Sequence, residues 1–260
     1  MSDTESIRDH IRLHVDLCRE DDLKSVFEDE MYVGRFLKSN GNDLSAATQA
    51  VLENLRLRKS LFESFQVENL CSEVPTEMFT CCQVSTGWLK NGVSEKFIWY
   101  DKAGVYRRIP NLADLTIKFT ILTNDNLLTK YGYDFKYDVY FDISRSSVLS
   151  FDIDFSMRMM QLMNTCYPDM IDQLYFVGFN SFTRMMINAI IRLVPSRYHS
   201  RVHFIDSEQT KLIKTFVEPI TPPSNCPSLE ELSTRNVAIR NSKDKLVKYF
   251  DWVKSVCQKP

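Results

Sequence analysis

Glycine is scarce in this chain, with seven in 260 residues. They stand at Gly34, Gly41, Gly87, Gly92, Gly104, Gly132 and Gly178, and no two are closer than five positions. That scatter excludes a G-x-G fingerprint, a nucleophile elbow and a phosphate-cradling loop. The common nucleotide-binding routes of an α/β sheet are therefore closed. Histidine is scarcer still, with four residues confined to the pairs His10/His14 and His199/His203. No nucleophile–base pair can be assembled from them, so no enzyme is expected. No acid or cysteine of matching pattern accompanies His10/His14, and Cys81-Cys82 are adjacent, so no metal site is expected either. An excess of one charge is also missing. Thirty-two basic residues face 34 acidic ones, net charge is −2 and pI about 6.1, without the basic footprint of a nucleic-acid binder. The longest apolar run, around Met185–Ile191, is too short to span a bilayer. The opening Met1-Ser-Asp-Thr-Glu5 is polar and acidic, the wrong flank for secretion. With an odd count of seven cysteines, the thiols are expected reduced and the protein cytoplasmic.

The residues that are present carry a clear order. From residue 4 to about 65 the periodicity is helical. A first helix is predicted over Glu5–Arg19, with Asp21-Asp22 interrupting it. Asp29 opens a second, Asn40-Gly41 stops it, and Asn42 or Asp43 caps a third that carries Leu44, Ala47, Val51, Leu52, Leu55 and Phe62. Phe97–Tyr100 and Val105–Ile109 around Asp101–Gly104 read as a strand hairpin. A helix toward Tyr131 follows. Then Phe135–Ile143 alternates, Asp152 or Asp154 caps a helix to about Cys166, and Leu174–Phe179 is apolar on both faces like a central parallel strand. Asn180 or Ser181 caps a helix to Val194, and Val202–Ile205 is a last short strand. Strands joined by helical crossovers predict an α/β fold with a mostly parallel sheet. A helix from Ser207, a proline-rich crossing and an amphipathic helix from about Ser242 to Cys257 complete the chain.

The helix over residues 181–194 is apolar over too much of its circumference. Ser181, Arg184, Asn188 and Arg192 share one narrow stripe. The remaining arc of about 240° is apolar, where a surface helix needs little more than 100°. Periodicity alone favours a helix sandwiched between the sheet and the C-terminal helix; a pocket for something greasy is the alternative. Seven of the ten methionines lie between Met157 and Met186. Met159, Met160 and Met163 share an arc with Phe155 and Leu162, and methionine lines adaptable apolar sites as well as irregular cores.

Several blocks in this order resemble the CRAL-TRIO, or Sec14-like, lipid-binding family. They are Arg35-Phe-Leu-Lys-Ser-Asn-Gly-Asn-Asp43, Tyr100-Asp-Lys-Ala-Gly104, Tyr167-Pro-Asp169, Leu174-Tyr-Phe-Val177 and Val202-His-Phe-Ile205. The resemblance spans roughly residues 25–223. It implies an N-terminal helical bundle over 1–70, a lipid-binding domain over 71–217, and a crossing with a C-terminal helix over 218–260. It implies a sheet-floored pocket under a gate helix, with no cofactor beyond a bound lipid. The pocket would be lined by Phe141, Phe155, Met159, Met160, Met163 and Phe179. The gate would present Phe182, Met185, Met186, Ile187, Ile190 and Val194. Asp169, Tyr198 and Arg201 are the candidate headgroup residues. Headgroup-binding members have Glu where this chain has Asp169, and a basic residue where it has Asn40, so a generic lipid is expected rather than an inositol phospholipid. The expected partners are a lipid and, transiently, a membrane surface; nucleic acid is not expected. The rival reading is an interaction module on the same fold, with a collapsed pocket and a protein partner held by the gate helix or the C-terminal helix.

Overall fold

Local chemistry sets most helix boundaries. The computed structural model describes residues 2–63, 84–91, 94–101, 103, 112–144, 146, 152–192, 196–205 and 218–219. Ser2 accepts from the Glu5 amide and opens α1 (Asp3–Arg12). This helix stops before the predicted Arg19, and a 3₁₀ turn, Val15–Leu17, follows. Asp21-Asp22 do not break a helix. They sit in the first turn of α2 (Glu20–Glu28), where acidic side chains suit the positive end of the helix dipole. Asp29 caps α3 (Glu30–Ser39) through the Met31 amide. Gly41 and Asn42 take left-handed φ of 65° and 64°, and Asp43 caps α4 (Leu44–Phe62) through the Ala46 amide. The expected order of Asp29 cap, Asn-Gly stop and Asp43 cap is observed.

The chain folds as two units, each built from three chain segments. The first comprises residues 1–69, 118–135 and 158–170; the second comprises 70–117, 136–157 and 171–260. In the first unit Ile7, Ile11, Val26, Val33, Phe36, Ala47, Val51, Leu52 and Leu55 form one buried cluster. Helices α5 (Leu112–Tyr131) and α6 (Ile153–Cys166) each contribute to this unit their later residues. Asp152 caps α6 by accepting from the Phe155 amide at 3.0 Å.

The second unit holds a six-stranded sheet in the order β5-β4-β3-β2-β1-β6. The strands are β1 (Val84–Asn91), β2 (Ser94–Asp101), β3 (Tyr137–Asp142), β4 (Ile171–Val177), β5 (Val202–Ile205) and β6 (Glu218–Pro219). Strands β2 to β5 run parallel, and β1 is antiparallel to both β2 and β6. The predicted hairpin is corrected here. Phe97–Tyr100 belongs to a hairpin with residues 84–91, not with Val105–Ile109. A strand has two edges, and those of β2 are taken by β1 and β3. Helix α7 (Ser181–Ile191) follows β4, and a 3₁₀ segment, Ser196–Arg201, leads into β5. Among the described residues no helix is long and apolar enough to cross a membrane. Val194, Cys81, Cys82, Val105–Ile109 and the helices predicted from Ser207 and Ser242 lie outside the described residues.

Candidate functional site

Side chains alternate across a strand, and register-paired residues of parallel neighbours share a face. On one face of the second unit's sheet this builds two cross-strand rows. The first is Trp99–Val139–Leu174–Val202 and the second Asp101–Phe141–Phe176–Phe204. The three phenylalanines of the second row stack, with ring centroids 5.6 Å apart for Phe141–Phe176 and 5.7 Å for Phe176–Phe204. Phe179 meets Phe204 edge-on at 5.2 Å. Trp99 and Val139 are buried, whereas Phe141, Leu174, Phe176, Val202 and Phe204 are only half-buried. β4 is central, yet of its seven residues only Val177 is buried. Burial on both faces was the expectation for this strand. The aromatic row is instead left partly open.

The opposite face holds the buried cluster Ile98, Tyr100, Tyr140 and Val177 together with polar groups. Tyr140, Tyr175 and His203 stack there at 4.5 and 5.1 Å. His203 Nε2 lies 2.7 Å from Gln173 Oε1. Lys96 Nζ lies 2.8 Å from Asp138 Oδ1 and 2.6 Å from Asp172 Oδ2. Burial pushes the Asp138 carboxyl up, while the hydrogen bond from Lys96 draws Asp172 down. Tyr100 donates to Asp142 Oδ2 at 2.6 Å, and Ser144 donates to Asp142 Oδ1 from both its amide (3.1 Å) and its hydroxyl (2.6 Å). Asp142 is thus a hydrogen-bond hub at a strand end.

Helix α7 begins with a reciprocal capping box. Asn180 accepts from the Thr183 amide at 2.8 Å, and the Thr183 hydroxyl accepts from the Asn180 amide at 2.9 Å. Thr183 and Ile187 are buried, and Met186 and Ile190 are half-buried. The polar stripe Ser181, Arg184, Asn188 and Arg192 is exposed, as its wheel position predicts. The C-terminal helix of the sandwich favoured by periodicity lies outside the described residues. Beside that stripe an apolar ledge of Phe182, Met185 and Ala189 is exposed too, with Phe182 at 39% and Met185 at 60%. The guanidinium of Arg184 lies 5.4 Å from the Phe179 ring and 5.1 Å from the Phe204 ring, so it reaches the end of the phenylalanine row.

The predicted pocket residues divide between the two units. Phe141, Phe155 and Phe179 belong to the second, while Met159, Met160 and Met163 belong to the first, where Asn124 Nδ2 lies 3.6 Å from Met163 Sδ. All six are half-buried. Among the candidate headgroup residues, Arg201 lies over the Tyr198 ring at 5.2 Å and donates to the Ile171 carbonyl at 3.1 Å. Asp169 belongs to the first unit, with a left-handed φ of 60°. Phe176, Phe204 and Asp101 were not singled out from the sequence. Their signal was the parallel register, which sets apolar positions of four separated segments side by side.

A family model for the CRAL/TRIO domain matches residues 83–225, more than half of the chain. The chain belongs to the CRAL/TRIO family. The match encloses all six strands and α7, so the phenylalanine row and the capped helix both lie within the CRAL/TRIO domain. Among solved structures, the crystal structure of Sfh5 is similar across 97% of this chain and 98% of that one, at 12% identity and a TM-score of 0.50. At that identity the likeness is one of fold. No curated protein matched the sequence.

Proposed function

We propose that this CRAL/TRIO protein binds a hydrophobic or amphipathic lipid against the phenylalanine face of its sheet, with α7 as the gate, and carries it between membranes without covalent chemistry. The observation that carries the reading is the half-buried, stacked row Phe141–Phe176–Phe204 beside a helix with an exposed apolar ledge. A soluble fold gains nothing from leaving stacked phenylalanines partly wet. Each ligand methylene buried there contributes about 0.8 kcal/mol, so a long chain is held without a bond. On this proposal the lipid-binding domain spans 71–217, after a helical region at 1–70 and before a C-terminal stretch at 218–260. We place the protein in the cytoplasm, meeting phospholipid membranes peripherally through Phe182 and Met185. The stretch Val139–Ile143 with Asp152–Phe155 is similar to the lipid-binding domain of motile sperm domain-containing protein 2, a likeness that belongs to the proposal alone.

Native mass spectrometry of the purified chain, before and after incubation with liposomes, tests the reading. A retained or acquired lipid is expected, and Phe176→Asp should abolish it. A chain that never takes up lipid in either condition overturns the proposal. The exposure of Met185 also supports the interaction-module reading. In that case Met185→Asp would dissolve a protein complex and leave lipid uptake unchanged.

A further inference from the structure

The row that carries three phenylalanines ends in a carboxylate. Asp101 is the last residue of β2, in register with Phe141, and so shares its face with Phe141, Phe176 and Phe204. Nothing on this face explains the charge. Among the described residues no hydrogen bond or ion pair reaches Asp101, whereas Asp138, Asp142 and Asp172 across the sheet all have partners. Burial pushes the Asp101 carboxyl up to about 7, with no partner to draw it down. The side chain nonetheless keeps part of its accessible surface. An uncompensated carboxylate on an apolar wall is costly unless something supplies a donor.

Resting on the lipid-binding reading above, we propose that Asp101 is the polar anchor of the site, and that the ligand is a lipophilic molecule ending in a hydrogen-bond donor, an alcohol or an ammonium. Three interstrand spacings separate Asp101 from Phe204, or about 14 Å. A ligand laid along the row sets its apolar body on the three rings and its donor on the carboxylate. Above about pH 8, where Asp101 is ionised, an anionic head at that end would meet like charge without a donor between them. A site built to bond a donor rejects analogues that lack it far more strongly than an apolar pocket rejects a missing methylene.

The test uses the delipidated full-length chain and four dodecyl probes of equal tail: dodecanol, dodecylamine, dodecanoate and dodecane. Each is titrated calorimetrically into wild type, Asp101→Asn and Asp101→Leu. At about pH 8.5, where Asp101 is ionised, wild type should bind the alcohol and the amine at least tenfold more tightly than the carboxylate. Asp101→Asn should keep the alcohol and lose the amine preference, which separates the two donor classes. Asp101→Leu should erase the preference for the alcohol and the amine over dodecane. Equal wild-type affinity for all four probes overturns the anchor and leaves the lipid site standing. No binding of any probe overturns both. A preference unchanged in Asp101→Leu also overturns the anchor. Should either variant fail to fold, the wild-type series alone decides, since a carboxylate bound as tightly as the alcohol is incompatible with the proposal.

Discussion

Arg58 and Asp101 are both charged groups withdrawn from water, and they differ in what surrounds them. Arg58 Nε donates to Asp22 Oδ1 at 2.7 Å, and its two terminal nitrogens grip both oxygens of Asp125 at 3.1 and 2.7 Å. The Tyr167 hydroxyl lies 3.2 Å from Arg58 Nη1 and 2.8 Å from Asp125 Oδ1. Burial opposes the charge on Arg58, but Asp125 foremost, with Tyr167 and Asp22, holds its pKa well above the ordinary value. These groups line a cleft of about 220 Å³ in the first unit, together with Arg19, Arg35 and Cys166. Burial pushes the Cys166 thiol up to about 12, so it stays a thiol. Arg58→Met strands the buried Asp22 carboxylate, and urea unfolding should show a loss of about 3–5 kcal/mol. Adding Asp22→Asn should return part of it. Asp101 has a raised pKa as well, but there burial without a partner favours the neutral form. Its folded pKa of about 7 lies above that of an unfolded aspartate, about 3.9. The folded state therefore binds the extra proton, and this contribution to stability is fully present below about pH 4 and is lost as pH rises through about 7. The thermal midpoint of Asp101→Asn should overtake that of wild type as pH is raised from 4.5 to 7.5. Parallel curves would show that the carboxyl ionises normally. Little of either environment was legible in the sequence, because the partners of Arg58 stand 36, 67 and 109 positions away.

At the scale of elements, the turn between β4 and α7 is tightly packed. Gly178 has φ +69°, and a Cβ built there would stand 2.5 Å from Ser144 Cβ and 2.9 Å from Ser144 Cα. No flexible side-chain end can yield, because the atoms it would meet are a Cβ and the backbone itself. Gly178→Ala should lower stability by about 1–3 kcal/mol in chemical unfolding. Combining it with Ser144→Gly should recover only part, since the close approach to the backbone of residue 144 and the left-handed φ both remain. Stability unchanged in Gly178→Ala would mean that this turn relaxes freely. Helix caps were legible because they are local: Asp29, Asp43, Asp152 and Asn180 each bond an amide two or three residues on. The partner of β2 was not. The Gly-bearing turn Asp101–Gly104 pointed to the segment after it, whereas the observed partner, β1, precedes Ser94.

At the scale of the whole molecule, the order of blocks was legible and the depth of burial was not. Alternation identified β3, a short apolar run marked β4, and Val202–Ile205 read as a last short strand. Openness over Leu174 and Phe176 is a property of what packs above them, and no periodicity encodes it. The ledge on α7 illustrates the same limit, since a wheel shows which residues are apolar but not which are covered. The three-segment build of each unit has a consequence for the growing chain. Arg58 leaves the ribosome early, yet its acceptor Asp125 and its neighbour Tyr167 follow 67 and 109 residues later, and Arg35 waits for the Pro168 carbonyl, 133 residues away. At about 5–20 residues per second of synthesis, α1 to α4 spend several seconds emerged before these groups arrive. A nascent chain stalled before Tyr167 would hold a helical region that cannot close, and it would be the form that a chaperone or protease meets first.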